Sequence, residues 1–208
     1  MSPSKVPDIV IGRLPLYLRA LTQMAQQGKE ITSSQELGGQ LGISSAQIRK
    51  DLSQFGEFGK QGTGYNIQYL MEQLKRILNL DKIWDVALIG AGDLGTAVAN
   101  YGGFVDRGFR IRSVYDNDPG IIGTVAGSFT VRSMDRLERD LQEMGITIVM
   151  LAVPASHAQE VTDILLNTNI EAILCYAPTS ISVPESIKVQ YIDPVLHLQH
   201  MTYYLSNS

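Results

Sequence analysis

The stretch GAGDLG at residues 90–95 sets three glycines in a GxGxxG pattern, and an acid, Asp116, follows 21 residues after Gly95. This spacing suits phosphate binding. The first glycine permits a tight turn, the second lets backbone approach a pyrophosphate, the third allows close helix packing, and the N–H groups opening the next helix face negative charge. An acid at the end of the following strand hydrogen-bonds an adenosine ribose diol and repels a 2′-phosphate, which favours NADH and NAD+ over their 2′-phosphorylated forms. Gly90, Ala91, Gly92, Asp93, Leu94, Gly95 and Asp116 are therefore candidate nucleotide-binding residues. The alternative for Asp116 is to cap a turn with Asn117, Asp118 and Pro119.

A second set of residues suits a different chemistry. In SSAQIRKDLSQF at 44–55, with about 100° per residue, Ile48, Leu52 and Phe55 share one helix face, while Ala46, Arg49, Lys50 and Ser53 fall between about 100° and 200° from Ile48. Small side chains let a helix approach a groove, and Arg and Lys reach phosphates or guanine edges. The segment GEFGKQGTGYNI that follows alternates glycines with Lys60. It predicts a tight hairpin whose tip, including Lys60, Gln61, Gly62 and Gly64, could contact a nucleic-acid backbone. A solvated face and a flexible loop are the bland alternatives.

The elements that must position these residues are legible in the periodicity. Leu14, Leu18, Leu21 and Ala25 recur at helical spacing, with Pro15 in the first turn, and Gly28 ends the run. Ser33 with Glu36, and Ser44 with Gln47, predict two further helices opened by reciprocal capping boxes and separated by a turn at Gly42 and Ile43. This is a helix-turn-helix, and with the hairpin behind it a winged helix. A helix over 67–80 leads to a boundary near residue 80. Then come the strand VALIG, the glycine turn, the helix LGTAVANYGGF and the strand RIRSVYD ending at Asp116. Further strands are expected in 146–154, 171–178 and 187–193, with helices at MDRLERDLQEM and SHAQEVTDILLN. The expected fold class is α/β: an N-terminal winged helix over 1–80, a Rossmann-type parallel sheet over 81–192, and a C-terminal helix over 193–208.

Composition narrows the field. The chain has 208 residues, 44% of them hydrophobic and 18% charged, as in ordinary globular proteins. The net charge of −4 divides unevenly. Residues 1–80 hold nine Lys or Arg against six Asp or Glu, and residues 81–208 hold eight against fifteen. No apolar run reaches the roughly 20 residues of a membrane span, and MSPSKVPDIV does not read as a signal peptide. With one cysteine, Cys175, no disulfide can form within the chain, and a cytoplasmic location is expected. Cys175 reads as a buried strand residue, His157 as a surface residue, and His197 with His200 as a weak metal pair, so no catalytic residue and no metal site are expected. The sheet also consumes the chain to residue 193, leaving no substrate domain. This disfavours the alternative of an NAD-dependent oxidoreductase with an accessory DNA-binding domain.

Along nearly its whole length the sequence resembles the Rex family of redox-sensing transcriptional repressors. The stretches that carry the likeness are RLPLYLRAL, SSAQIRKDLSQFGEFGKQGTGYN, GAGDLGTAVANYGGF, GFRIRSVYDNDPGIIG, VPASHAQEV and the tail around Asp193. The resemblance implies a homodimer with exchanged C-terminal helices that binds palindromic operator DNA and senses the NADH/NAD+ ratio. It implies that NADH closes the dimer and relieves repression of fermentative and respiratory genes. It further implies DNA contacts from Ser44, Ala46, Gln47, Arg49, Lys50, Ser53, Lys60, Gly62, Gly64 and Tyr65, and cofactor contacts from Tyr101 and Phe104 beside the glycine loop. Arg19, Tyr101 and Asp193 correspond to an interdomain switch. The chain reads CYAP where many relatives read NFAP, which puts an asparagine contact in doubt and raises the question of thiol sensitivity at Cys175. A regulator sensing another nucleotide, such as a CoA derivative, is a further alternative.

Overall fold

The computed structural model describes residues 6–60 and 63–205. They form two compact units that divide between Lys82 and Ile83.

The first unit contains α1 (Asp8–Ile11), α2 (Leu14–Gln26), β1 (Ile31–Thr32), α3 (Ser34–Leu41), α4 (Ser45–Ser53), β2 (Gly59–Lys60), β3 (Gly64–Asn66) and α5 (Ile67–Ile77). Leu14, Tyr17, Leu21 and Met24 of α2 pack with Leu37, Ile48, Leu52, Leu70 and Leu74 in one core. Fully burying such a side chain contributes about 1.5–3 kcal/mol relative to leaving it exposed, so this face fixes α4 against α2 and α5. The strands form an antiparallel sheet in the order β1-β3-β2. The helix predicted through Phe55 ends at Ser53, yet Phe55 still packs against the core.

The expected capping boxes are only half formed. Ser33 Oγ accepts from Glu36 N–H at 3.1 Å and Ser44 Oγ accepts from Gln47 N–H at 3.2 Å. The return bonds are replaced by better partners. Glu36 instead accepts from Lys29 and from Thr32 Oγ1, and Gln47 Nε2 donates to Asp51 at 2.6 Å.

The second unit contains β4 (Trp84–Ile89), α6 (Asp93–Ala99), β5 (Phe109–Asp116), β6 (Val125–Ala126), β7 (Phe129–Ser133), α7 (Leu137–Met144), β8 (Ile148–Leu151), α8 (Ala155–Leu165), β9 (Ala172–Cys175), β10 (Lys188–Tyr191) and α9 (Pro194–Leu205). The strand order is β10-β9-β8-β4-β5-β7-β6, parallel except where β6 pairs antiparallel with β7 at the edge. Ala87 and Ile89 face a core completed by Leu137, Leu141 and Ala158 of α7 and α8. Val86 and Leu88 face the opposite one, with Ala99 of α6. Both faces of the central strand are therefore covered, as its unbroken apolar run requires. The predicted helix LGTAVANYGGF stops at Ala99, and a 3₁₀ segment, Gly102–Arg107, takes over where Gly102 and Gly103 interrupt it.

Candidate functional site

In the first unit, α4 buries Ile48, Asp51 and Leu52 and leaves Ala46, Arg49, Lys50 and Ser53 exposed. The outward face expected from the wheel is thus present. It is held by a closed polar cluster beneath it. Asp51 accepts from Arg13 Nε at 2.6 Å and Nη2 at 2.7 Å, from Tyr17 Oη at 2.5 Å, and from Gln47 Nε2 at 2.6 Å. Burial alone would push the Asp51 carboxyl up, but the hydrogen bonds from Arg13, Tyr17 and Gln47 outweigh it and hold the group below the usual carboxylate range. Burial first, then Asp51, pushes the Tyr17 phenol up. Arg49 Nη1 donates to Ser34 Oγ at 2.9 Å, tying the exposed face to α3, and Ser53 Oγ donates to the Lys50 carbonyl.

The hairpin is built on β1 and α5 of the same unit. Gly59 pairs with Tyr65, and Lys60 with Gly64. Gly64 has φ +80, and a Cβ there would lie 2.3 Å from the Thr32 carbonyl oxygen, so β3 approaches β1 as only glycine allows. Tyr65 is half-buried against the core, and burial pushes its phenol up while Arg49 opposes this. Gly62 and Gln61 lie outside the described residues.

In the second unit the three motif glycines do three different things. Gly90 has φ +95, and a Cβ would fall 2.3 Å from the Ala152 carbonyl oxygen. At Gly95 a Cβ would lie 1.8 Å from the Gly90 carbonyl oxygen, where α6 packs on the turn. A Cβ on Gly92 would meet nothing within 4 Å. That open side faces a cleft of about 620 Å³ lined by Gly90, Gly92, Asp93, Leu94 and Asp116. The Asp116 carboxylate accepts from Ala91 N–H at 2.7 Å and from Asp118 N–H at 2.9 Å, so it braces the glycine loop and also caps the turn weighed as its alternative role.

Residues missed by sequence reasoning complete the cleft: Ile121, Met134, His157, Glu160, Ile164 and Tyr176. Most lie on segments following strand carboxyl ends, which is where an open α/β sheet binds ligands, and the cleft lies beyond the paired ends of β4 and β8 at Ile89 and Leu151. His157 is exposed, as read from the sequence, and also lines the cleft. Tyr101 and Phe104 do not; they stack edge to face at 5.0 Å in and beside the 3₁₀ segment, and Tyr101 is 49% exposed. Cys175 is fully buried, and burial pushes its thiol up, so it is not primed as a thiolate. At the other end of the unit, Asp193 Oδ1 accepts from Val195 N–H at 2.9 Å at the start of α9, which exposes Val195, Leu196, Leu198, Met201, Tyr203 and Leu205. Arg19 lies exposed on α2.

Residues 5–53 match the family model described as putative DNA-binding protein N-terminus, and residues 81–179 match the CoA binding domain. The chain is 52% identical to the redox-sensing transcriptional repressor Rex of Roseiflexus sp. (strain RS-1), over 96% of this chain and 91% of that one. The chain belongs to the Rex family of redox-sensing transcriptional repressors. The Rex protein of Streptomyces coelicolor is 41% identical over 96% of this chain and 77% of its own length. Among solved structures, the Rex-family repressor RSP in complex with β-NAD+ and operator DNA has a TM-score of 0.91 at 34% identity, covering 98% of this chain and 94% of that one. RSP in complex with β-NADH gives 0.89 at 32%, with 98% and 96% covered. No helix among the described residues is long and apolar enough to cross a membrane.

Proposed function

We propose that this Rex-family chain is a cytoplasmic repressor that binds palindromic operator DNA and releases it when NADH occupies the cleft of the second unit. The observation that carries the reading is the open side of Gly92, a glycine neither strained nor packed. Its place in the loop is explained by a ligand that needs backbone approach. Gly90, Ala91, Gly92, Asp93 and Leu94 would hold the pyrophosphate, and Asp116 the adenosine ribose diol. Residues 1–80 would carry DNA contacts through Ala46, Arg49, Lys50 and Ser53, with the hairpin at Lys60 beside the phosphate backbone.

The working unit is a homodimer with α9 exchanged between subunits. Supporting this, α9 has no buried residue and exposes apolar side chains along its length, an unusual surface for an isolated monomer. Arg19, Tyr101 and Asp193 would change partners as the two arrangements interconvert. Bound NADH can shift that balance only by favouring one arrangement. Two recognition helices reading half-sites about one turn apart are sensitive to such a rotation. No catalytic group is assigned.

The family model that matches residues 81–179 favours a second ligand, a CoA derivative. Against it, Asp116 and three further carboxylates line the cleft, Asp93, Asp118 and Glu160, and these disfavour an extra ribose phosphate. The test is a palindromic promoter duplex at fixed salt, titrated separately with NADH, NAD+ and CoA. Release by NADH where NAD+ does little supports the proposal. Release by CoA alone reassigns the ligand, and DNA binding indifferent to all three separates the cleft from DNA release.

A further inference from the structure

The cleft that would take a pyrophosphate is electrostatically hostile to one. Its acidic lining comes from several sides, Asp93 from α6, Asp116 from β5, Asp118 from the turn beyond, and Glu160 from α8, with no lysine or arginine lining it among the described residues. Tyr176 also lines it, and burial pushes its phenol up, away from ionising. Backbone N–H groups of a glycine loop offset phosphate charge only partly. The remaining lining side chain able to carry positive charge is His157.

Its position suits that role. β8 runs beside β4 with Leu151 opposite Ile89, and the Ala152 carbonyl lies against Gly90. His157 follows five residues later in the first turn of α8, and it lines the same cleft as Gly90 and Gly92. Nδ1 lies 3.5 Å from Glu160 Oε2, one turn along α8, so the Nε2 edge is the one left to meet a ligand. The side chain is about half exposed, open to the cleft rather than buried in the core.

Resting on the reading of this cleft as a dinucleotide site, we propose that His157 donates to the ligand's phosphate groups and that its protonation makes nucleotide affinity rise as pH falls. Histidine is the side-chain type that ordinarily changes charge between about pH 5 and 8. Neither a pyrophosphate diester nor adenine titrates in that window. The sensor would therefore read NADH and acidity together through one site.

The experiment is an NADH titration followed by cofactor fluorescence at about pH 6 and about pH 8, at fixed ionic strength, with the full chain and its His157→Gln and His157→Lys variants. Adenosine, which lacks phosphate, serves as the control ligand. The wild-type chain should bind NADH about tenfold more tightly at the lower pH, the size of one charge-assisted hydrogen bond. His157→Gln should be weak and flat between the two, His157→Lys tight at both, and adenosine insensitive to all three changes. NADH binding whose pH dependence survives in His157→Gln overturns the proposal alone. Absence of NADH binding by the wild-type chain at either pH overturns the dinucleotide reading and the proposal with it.

Discussion

Each unit ties a functional segment to its core with a buried aspartate, an arginine and a tyrosine, but the two constructions differ. Asp51, beside Lys50, takes four hydrogen bonds of 2.5–2.7 Å. Asp140 accepts from Arg132 at 2.7 Å and from Tyr115 at 3.2 Å, Tyr115 being the neighbour of Asp116. Arg136 and Arg139 reach it only at 3.7 and 3.9 Å, from side chains 54% and 61% exposed. The first is a saturated lock on a helix whose angle sets which side chains face outward. The second braces a strand end through the part-buried Arg132 while leaving Arg136 and Arg139 largely in water. A small rotation of α4 changes which side chains it exposes, whereas the glycine loop at Gly90 and Gly92 offers the cleft backbone that no such rotation re-aims.

The sharpest way to break this comparison is to remove each carboxylate in turn. Asp51→Ala leaves Arg13, Tyr17 and Gln47 without their acceptor, and should cost about 3–5 kcal/mol of unfolding free energy in urea titrations of the full chain. For Asp140→Ala, where exposed arginines can turn to solvent, the expected cost is about 1–3 kcal/mol. Equal losses would mean that the count of close donors is not what distinguishes the two sites.

Acid should reveal the same lock. Asp51 is held below the usual carboxylate range, so its contribution is fully present above the unfolded-state value of about 3.9 and is lost as pH falls through the lower folded value. Stability measured from about pH 5 downward should therefore fall more steeply in the wild-type chain than in Asp51→Asn, which has no such proton to take up. Parallel curves would deny Asp51 its part in acid unfolding.

These partnerships also mark what was legible in the sequence. Ser33 and Ser44 were readable as caps because a cap is local, and the first bond of each box is formed. The second bonds were not readable, since Gln47 found Asp51 and Glu36 found Lys29 and Thr32 instead. Tyr17 and Asp51 stand 34 residues apart, and no periodicity announces their pairing. The strands of the second unit stood out as apolar runs, but β6 and β7 did not. They are two and five residues long, half exposed, and defined by pairing with each other and with β5. The glycine motif located the cleft, yet the helix face carrying His157, Glu160 and Ile164 is defined only once β8 lies next to β4.

The glycine loop extends the contrast from carboxylates to backbone. Gly92→Val adds atoms to open space at an unstrained backbone position but puts a poor cap at the start of α6, so unfolding free energy should fall by no more than about 1 kcal/mol. NADH affinity should nevertheless fall about tenfold or more as the side chain occupies the phosphate approach. An affinity unchanged by Gly92→Val would move the ligand away from this turn.

The smallest effect belongs to the exposed face that the Asp51 lock holds in place. Lys50 lies exposed on α4, and Ser53 Oγ donates to its backbone carbonyl rather than to its side chain, so Lys50→Ala should leave folding nearly untouched. If the side chain meets a DNA phosphate, its loss releases one fewer counterion, and the slope of log affinity against log salt should become shallower by about one per chain. A base contact would instead weaken binding to the palindromic duplex more than to random duplex, at an almost unchanged slope. Measuring both duplexes across a salt series separates the two, and an unchanged slope with unchanged preference would remove Lys50 from the interface while leaving Arg49 and Ser53 to define it.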